Sequence, residues 1–228
     1  MSEPQGSDLG NRRPLKSRSA PWAQRLAAWL ARAGVGPDVI SFGSVAFALA
    51  GALDLIESGM VEGRARTGPL LAAAVCVQLR LVCNLFDGMV AVEHGRGGAY
   101  GPIWNELPDR IADVLFFVAA GYGAQMAGVA HAAELGWVVA VLAVLTAYLR
   151  ELGRGLGFPA DFSGPMAKPH RMAALTLACV VSTAEVLWGW RGQTLAIALA
   201  VIALGAGITV IRRTLRVARR LRDRAEQD

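Results

Sequence analysis

Long apolar runs separated by short polar stretches dominate the chain. Each run is close to the roughly 20 residues that an α-helix needs to cross a bilayer. We count six such runs and predict six transmembrane helices from them. They lie at 38–58, 69–91, 104–126, 133–152, 171–190 and 193–212. Because 54% of the residues are hydrophobic, which is too many for an ordinary soluble domain, the predicted fold class is an all-α integral membrane protein.

A shorter amphipathic segment precedes the first run. Between 19 and 34, Trp22, Leu26, Trp29 and Leu30 share one face of a predicted helix, and arginines lie elsewhere around it. This arrangement favours a helix lying in the membrane interface, with a plain surface helix as the alternative. The turn residues at 34–37 then predict its end.

Charged residues divide the chain and set its predicted orientation. Arg and Lys crowd the N-terminus, the linker at 153–170 and the C-terminus, which the positive-inside rule places in the cytoplasm. The loop at 59–68, with two arginines, is the exception. We therefore predict an integral protein of the inner or cytoplasmic membrane, with both termini and the site described below facing the cytoplasm. The predicted divisions are a disordered N-terminus at 1–18, an interfacial helix at 19–34, a six-helix membrane domain at 35–212 and a basic tail at 213–228.

Composition excludes two other classes. The three cysteines all lie within apolar runs, which indicates buried thiols rather than a disulfide framework. The net charge of +5 comes without an aromatic-rich basic patch, so nucleic acid is not an expected partner. The basic termini favour contact with anionic lipid instead.

A cluster of polar side chains interrupts the second and third runs. It consists of Asn84, Asp87, Glu106, Asp109 and Asp113, spaced three or four residues apart within each run. Such spacing puts side chains on one helical face, so two adjacent helices could direct oxygen ligands at one hard divalent cation. Because ionisable groups in a membrane are costly, the cluster is the candidate functional site.

The same stretch resembles the signature of the CDP-alcohol phosphotransferases, D-x-x-D-G-x-x-A-R followed after a gap by G-x-x-x-D-x-x-x-D. The matching residues are Asp87, Gly88, Ala91, Asp109 and Asp113. The departures are Asn84 for the first Asp, Val92 for the Arg and Asn105 for the second Gly, and the gap from Glu93 to Trp104 is on the long side.

The resemblance implies a metal-dependent enzyme of phospholipid biosynthesis. Members of this family transfer a substituted phosphate from a CDP-linked lipid or alcohol to the hydroxyl of an acceptor alcohol and release CMP. For this chain it implies CDP-diacylglycerol as the expected donor, a polyol phosphate as the candidate acceptor, and Mg²⁺ or Mn²⁺, with two ions expected. An impaired relative that binds lipid or nucleotide, and a small membrane transporter, are the alternative functions.

The resemblance also implies roles for particular residues. The expected metal ligands are Asn84, Asp87, Asp109, Asp113 and Glu106, with Asp113 also the catalytic proton acceptor. The expected nucleotide contacts are Gly88, Ala91, Asn105, Asp38 and Ser41. The expected contacts to the acceptor phosphate are Arg150, Arg154, Lys168, His170 and Arg171.

Several of these residues keep a plainer alternative. Glu106 would restore the charge lost at Asn84, or would only pair with Arg110. Asp38 and Ser41 would only cap a helix, and the basic residues would only follow the positive-inside rule. Arg80, one turn before Asn84, would contact substrate or pair with an acid.

The sequence gives one indication of self-association. Small residues such as Gly121, Gly123 and Ala127 suggest a homodimer packed through closely approaching helices.

Overall fold

The computed structural model describes residues 20–93 and 101–227, apart from the side chains of Val92, Glu93, Pro102 and Asn105. Within these residues the chain forms seven α-helices and two short 3₁₀ helices, and no strand. The α-helices are α1 (Pro21–Arg32), α2 (Pro37–Met60), α3 (Thr67–Glu93), α4 (Gly101–Met126), α5 (Ala132–Gly155), α6 (Lys168–Ser182) and α7 (Gln193–Ala225). The 3₁₀ helices, Gly63–Arg66 and Glu185–Trp188, precede α3 and follow α6. The predicted segment at 1–18 lies outside the described residues.

Proline and glycine set several of the helix boundaries. Pro21 and Pro37 begin α1 and α2, where a missing N–H costs no helical hydrogen bond. Gly34 and Gly192 have φ of 79° and 90° in the turns before α2 and α7. Because this left-handed region is open to glycine at little cost, these turns follow directly from the sequence.

The helices agree with the predicted runs except at two places. α6 ends at Ser182 and a 3₁₀ turn replaces the rest of the predicted run at 171–190. α7 continues to Ala225, so the predicted boundary at 212 falls inside one helix. Four segments are long and apolar enough to cross a membrane: Pro37–Met60, Gly63–Ala91, Ala132–Gly155 and Gln193–Ala225. The structure therefore gives an all-helical fold with four candidate spans in its described part; α4 carries four charged residues and α6 is 15 residues long.

The helices form one bundle around a buried core. Phe116 and Phe117 of α4 are fully buried at its centre, among side chains from α2, α3, α5, α6 and α7. α1 packs separately on the end of α3, with Ala23, Ala27 and Ala31 buried against it. Trp22 and Trp29 of α1 remain more than half exposed on the other face. α1 thus presents an aromatic face outward while covering the end of α3.

Glycines let neighbouring helices approach to backbone contact. A Cβ added to Gly123 would lie 2.2 Å from the carbonyl oxygen of Leu55, and one added to Gly59 would lie 2.2 Å from that of Gly123. Gly121 faces Gly136 of α5 in the same way. Gly121 and Gly123, two of the small residues that suggested a homodimer, therefore pack α4 against α5 and α2 of its own chain. The homodimer stays a prediction.

We predict that Gly123→Ala destabilises the bundle, because the added methyl group has no room beside Leu55. Overpacking of this kind costs about 1–3 kcal/mol. Gly43→Ala on α2 is the matched control, since nothing lies within 4 Å of its added Cβ. Thermal unfolding in detergent should show a lower midpoint for the first variant and an unchanged or higher one for the second. Equal midpoints would show that α2 and α4 can separate enough to accommodate the added methyl group without loss of stability.

Candidate active site

The polar cluster lies at one end of the bundle, where four helices meet. Asn84 and Asp87 are on the last turns of α3, and Asp109 and Asp113 are near the start of α4. Ser41 comes from the start of α2. Lys168 and Arg171 come from the first turn of α6. The structure thus brings together the carboxylates and two of the basic residues that the sequence proposed.

Asp109 is held by three donors from two other helices. Arg80 donates to its Oδ1 from 2.8 Å, and the amide nitrogen of Asn84 donates to the same oxygen from 3.0 Å. The ammonium of Lys168 donates to Oδ2. Charge-assisted hydrogen bonds of this kind are the strong ones. Asn84 therefore contacts Asp109 directly through its amide nitrogen.

Asp113 lies one helical turn deeper and is fully buried. Arg171 donates to its Oδ2 from 2.8 Å, and Arg80 lies 3.6 Å from its Oδ1. Arg171 is itself oriented by the hydroxyl of Thr146 at 3.1 Å and the backbone carbonyl of Met166 at 3.2 Å. Sequence reasoning missed Thr146; its one signal is a hydroxyl four residues before Arg150 inside an apolar run.

Asp87 is buried but less fully paired. The Ser41 hydroxyl donates to its Oδ2 from 2.9 Å. The buried Oδ1 atoms of Asp87 and Asp113 have no hydrogen-bond partner in the described part of the chain. Unpaired buried carboxylate oxygens are costly, so they are the positions where a bound cation or donor would be stabilised.

The cluster is close to neutral overall. It contains three carboxylates, those of Asp87, Asp109 and Asp113, and three cations, those of Arg80, Lys168 and Arg171. The cations pair with Asp109 and Asp113, whereas Asp87 makes no ion pair among the described residues and is hydrogen-bonded by Ser41. Arg80 is fully buried and bridges the two aspartates of α4. A buried charge is tolerated only when it is paired and hydrogen-bonded, which explains why α3 and α6 direct cations at the aspartates of α4.

Glu106 faces a different set of residues. Its Oε2 accepts from Arg110 at 2.7 Å and from Arg150 of α5. Arg150 and Arg154 both also pair with Glu151 at 2.8 Å. The pairing with Arg110 that the sequence left open is therefore present. Arg150 and Arg154, predicted to contact an acceptor phosphate, are occupied by carboxylates.

The remaining predicted residues are less closely grouped. Gly88 is buried on α3 beside Asp87, and Ala91 is half-buried one turn later. Asp38 and His170 are exposed at the starts of α2 and α6. The side chains of Val92 and Asn105 lie outside the described residues, so their predicted roles stay predictions.

Arginines of α7 hold the linker between α5 and α6 in place through hydrogen bonds and an ion pair. Arg213, which the sequence analysis placed in the basic tail at 213–228, is buried and donates to the backbone carbonyls of Ser163 and Thr146. Arg216 pairs with Asp161. Burial alone would raise the pKa of Asp161, but hydrogen bonds from Ser163 and Arg216 outweigh it and lower that pKa below its ordinary value. These contacts fix the linker that leads into Lys168.

Sequence comparison finds relatives that share one enzyme name. No family model matches the chain. It is 31% identical over 173 residues to the phosphatidylinositol phosphate synthase of Corynebacterium glutamicum, covering 71% of this chain and 74% of the relative. It is 27% identical over 192 residues to the enzyme of that name from Mycolicibacterium smegmatis, covering 80% of this chain and 77% of the relative.

Solved structures share the fold. The Mycobacterium tuberculosis phosphatidylinositol phosphate synthase with CDP-DAG bound has a TM-score of 0.70 at 22% identity, over 87% of this chain and 94% of that one. A structure of the same protein in complex with manganese and citrate also has a TM-score of 0.70 at 22% identity, over 86% and 88%.

We predict that Arg171→Met strongly destabilises the protein, because it leaves the carboxylate of Asp113 buried without its closest cation. Breaking one side of a buried pair costs about 3–5 kcal/mol. Arg154→Met, which breaks an exposed pair, should cost about 1 kcal/mol or less. Unfolding in detergent compares the two variants, and adding Asp113→Asn to Arg171→Met should recover part of the loss. A small effect of Arg171→Met would mean that water or Arg80 already satisfies Asp113.

Proposed function

Because the chain belongs to the CDP-alcohol phosphatidyltransferase family, we propose that it moves a phosphatidyl group from CDP-diacylglycerol to an alcohol. The acceptor oxygen bonds to the phosphorus that carries the diacylglycerol, the bond from that phosphorus to CMP breaks, and the acceptor proton passes to a carboxylate. The observation that carries this proposal is the buried cluster of Asp87, Asp109 and Asp113. Asp87 and Asp109 lie on motif positions of the family, and Asp113 lies on one or one turn beyond it, depending on the register. A transfer of this kind belongs to phospholipid biosynthesis.

The donor chemistry of the site fits a divalent metal shared with substrate. Among the described residues no group of three or more acidic, His or Cys side chains is arranged to hold an ion alone. Mg²⁺ and similar ions, however, are commonly bound by one or two carboxylates together with substrate phosphates. The Oδ1 atoms of Asp87 and Asp113, which accept no hydrogen bond from the described residues, would be such ligands, and Asn84 would add an amide oxygen. When bound, Mg²⁺ or Mn²⁺ would neutralise charge developing on the diphosphate.

Asp109 and Asp113 are the two candidates for the residue that accepts the proton of the acceptor hydroxyl. The second half of the motif also fits with Gly101 at the glycine and Asn105 and Asp109 at the two aspartates, which shortens the gap to the eight residues 93–100. Asp109 contacts the partly exposed Lys168, whereas Asp113 is fully buried. The sequence assigned this role to Asp113; the burial supports Asp109 as the proton acceptor, with Asp113 orienting Arg80 and Arg171.

We propose that Lys168 contacts the phosphate of the acceptor alcohol. Arg150 and Arg154 are neutralised by Glu106 and Glu151, while the side chain of Lys168 keeps 21% exposure at the mouth of the site. A Lys ammonium is a compact cation suited to phosphate. Because the relatives are phosphatidylinositol phosphate synthases, we propose a polyol phosphate, of the inositol phosphate class, as the acceptor. Gly88 and Ala91 would line the nucleotide side.

We further propose how the protein sits in the membrane. All six helices from α2 to α7 would cross the bilayer, with α1 lying in the interface through Trp22 and Trp29. The excess of Arg and Lys in the 153–170 linker and along the end of α7 supports a cytoplasmic location for the carboxylate cluster. CDP-linked lipid would then enter from the inner leaflet.

A second candidate function has one observation in its favour. Arg80, Lys168 and Asn84 already saturate Asp109, and the cluster is balanced in charge without any ion. A relative that binds the lipid or nucleotide without turnover would need nothing more. The alternative of a transporter is weaker, because the described polar cluster lies at one end of the bundle.

Product analysis decides between these functions. Purified protein is incubated with CDP-diacylglycerol, Mn²⁺ or Mg²⁺ and a panel of polyol phosphates, and lipids are analysed by mass spectrometry. We expect a new phosphodiester lipid and equimolar CMP, with turnover reduced about 10²–10⁴-fold in Asp109→Asn, the usual contribution of a general base. Asp113→Asn is assayed at a temperature where it is folded. A larger loss of turnover in Asp113→Asn than in Asp109→Asn would assign the proton acceptor to Asp113. Donor binding without CMP release would support the second function.

We predict that Lys168→Met increases metal affinity, because Lys168 neutralises the same Asp109 carboxylate that a metal-bound donor would approach. Titration with Mn²⁺, followed by electron paramagnetic resonance, should give a lower Kd than in the wild type, while acceptor-dependent turnover falls. Arg154→Met, a matched removal of one cation from the same end of the bundle, should leave the Kd unchanged. Weaker Mn²⁺ binding in Lys168→Met would contradict this competition.

A further inference from the structure

A small cavity lies at the opposite end of the bundle from the carboxylates. It has a volume of about 180 Å³ and is formed where α2 ends, α3 begins and the turn between α6 and α7 folds over. Its lining residues are Gly63, Arg66, Ser182, Thr183, Val186, Gly189, Trp190 and Arg191. α3 rises about 1.5 Å per residue, so Arg66 and Asp87 are about 30 Å apart along the chain's helical path. This cavity is therefore not part of the proposed catalytic site.

Its wall carries two guanidinium groups and no acidic side chain. Arg66 is only 4% exposed; it donates to the backbone carbonyl of Ser58 at 2.9 Å and to Glu185 at 2.8 Å. Within the described residues its buried Nη2 has no hydrogen-bond partner, and the same holds for the buried Ser182 Oγ and Arg191 Nε. Three buried donors without a hydrogen-bond partner thus belong to residues that line one small cavity, and buried donors of this kind are uncommon in folded proteins.

The nearby acidic residues are already engaged elsewhere. Glu185 is fully buried and accepts from the backbone N–H groups of Gly192 and Thr194 at 2.7 Å as well as from Arg66. It thereby fixes the turn before α7. Glu62 pairs with Arg191 at 2.8 Å, but its side chain is 77% exposed, so water screens its charge. Arg66 is therefore neutralised by Glu185, whereas an anion in the cavity would have to compete only with the exposed Glu62 for Arg191.

The surroundings indicate a ligand with an apolar part. Val186, Leu187, Trp188 and Trp190 are between 43% and 79% exposed beside the cavity. The two indole rings stand edge to face, 6.4 Å apart. Tryptophans of this kind are enriched where a membrane meets water. The volume is below the roughly 300–1,000 Å³ of ordinary ligand pockets, which suits a headgroup better than a whole ligand.

We propose that this cavity binds the phosphate of a phospholipid headgroup in the leaflet opposite the carboxylate cluster. Arg191 carries the charge, Arg66 and Ser182 donate hydrogen bonds, and the exposed side chains at 186–190 meet the acyl chains. The site holds the turn between α6 and α7 against the start of α3. It requires the chain to cross the membrane but not to catalyse transfer.

The test uses the full chain, purified and delipidated in detergent. Native mass spectrometry follows the binding of phosphatidylglycerol, with diacylglycerol as the lipid that lacks phosphate and inorganic phosphate as the soluble competitor. Arg191→Gln and Ser182→Ala are the cavity variants. Arg64→Gln is the control, because Arg64 is an exposed arginine of the same loop that does not line the cavity. All variants are checked by thermal unfolding and by product formation.

We expect Arg191→Gln to weaken phosphatidylglycerol binding at least fivefold, Ser182→Ala to weaken it less, and Arg64→Gln to leave it unchanged. Product formation should be unaffected in all three, so a failure of this site is distinguishable from a failure of the catalytic proposal. Lipid binding that inorganic phosphate cannot displace assigns the headgroup; binding of phosphate alone assigns a soluble phosphate to the same site. Equal losses in Arg191→Gln and Arg64→Gln, or equal binding of diacylglycerol, would overturn the proposal.

Discussion

The structure depends on the pairing of two buried carboxylates, those of Asp109 and Asp113, with three cations at one end of an apolar bundle. If ionised, these two carboxylates could not remain there unpaired, because burial of an isolated charge is far more costly than folding can offset. Arg80 comes from α3, and Lys168 and Arg171 come from α6. The pairing therefore holds α3, α4 and α6 in register. It also explains why the linker before α6 is anchored through Arg213 and Arg216 of α7, since this linker positions Lys168.

One departure from the signature, the amide of Asn84, lies next to this pairing. An amide at Asn84 replaces a carboxylate, and Arg80 lies across Asp109 and Asp113. One negative charge fewer lowers the attraction for free divalent ions, and the cation of Arg80 beside the two aspartates lowers it further. A donor that brings its own diphosphate supplies the missing negative charge. In this account ion and donor bind together, and Lys168 is released from Asp109 towards an anionic acceptor.

The sequence predicts the helices well because each apolar run is bounded by turn residues. Pro37 and Gly192 mark where α2 and α7 begin. The predicted helix ends are wrong at two places. α6 ends early because Glu185 accepts hydrogen bonds from two backbone N–H groups in a tight turn. α7 extends past the predicted boundary at 212, and its Arg213 is buried in the protein. For the site, helical spacing correctly groups Asn84, Asp87, Asp109 and Asp113. It could not predict that Glu106 faces Arg150 or that Thr146 orients Arg171, since those contacts join helices distant in the chain.

Joint binding of ion and donor is the central claim, and binding of CDP-diacylglycerol to the wild-type protein with and without Mn²⁺ tests it most directly. Isothermal titration in detergent measures both affinities. The account predicts that Mn²⁺ strengthens donor binding at least tenfold, and that CDP-diacylglycerol strengthens Mn²⁺ binding by the same factor, as linkage requires. Equal donor affinity with and without the ion would contradict it and would mean that the protein's own cations hold the diphosphate.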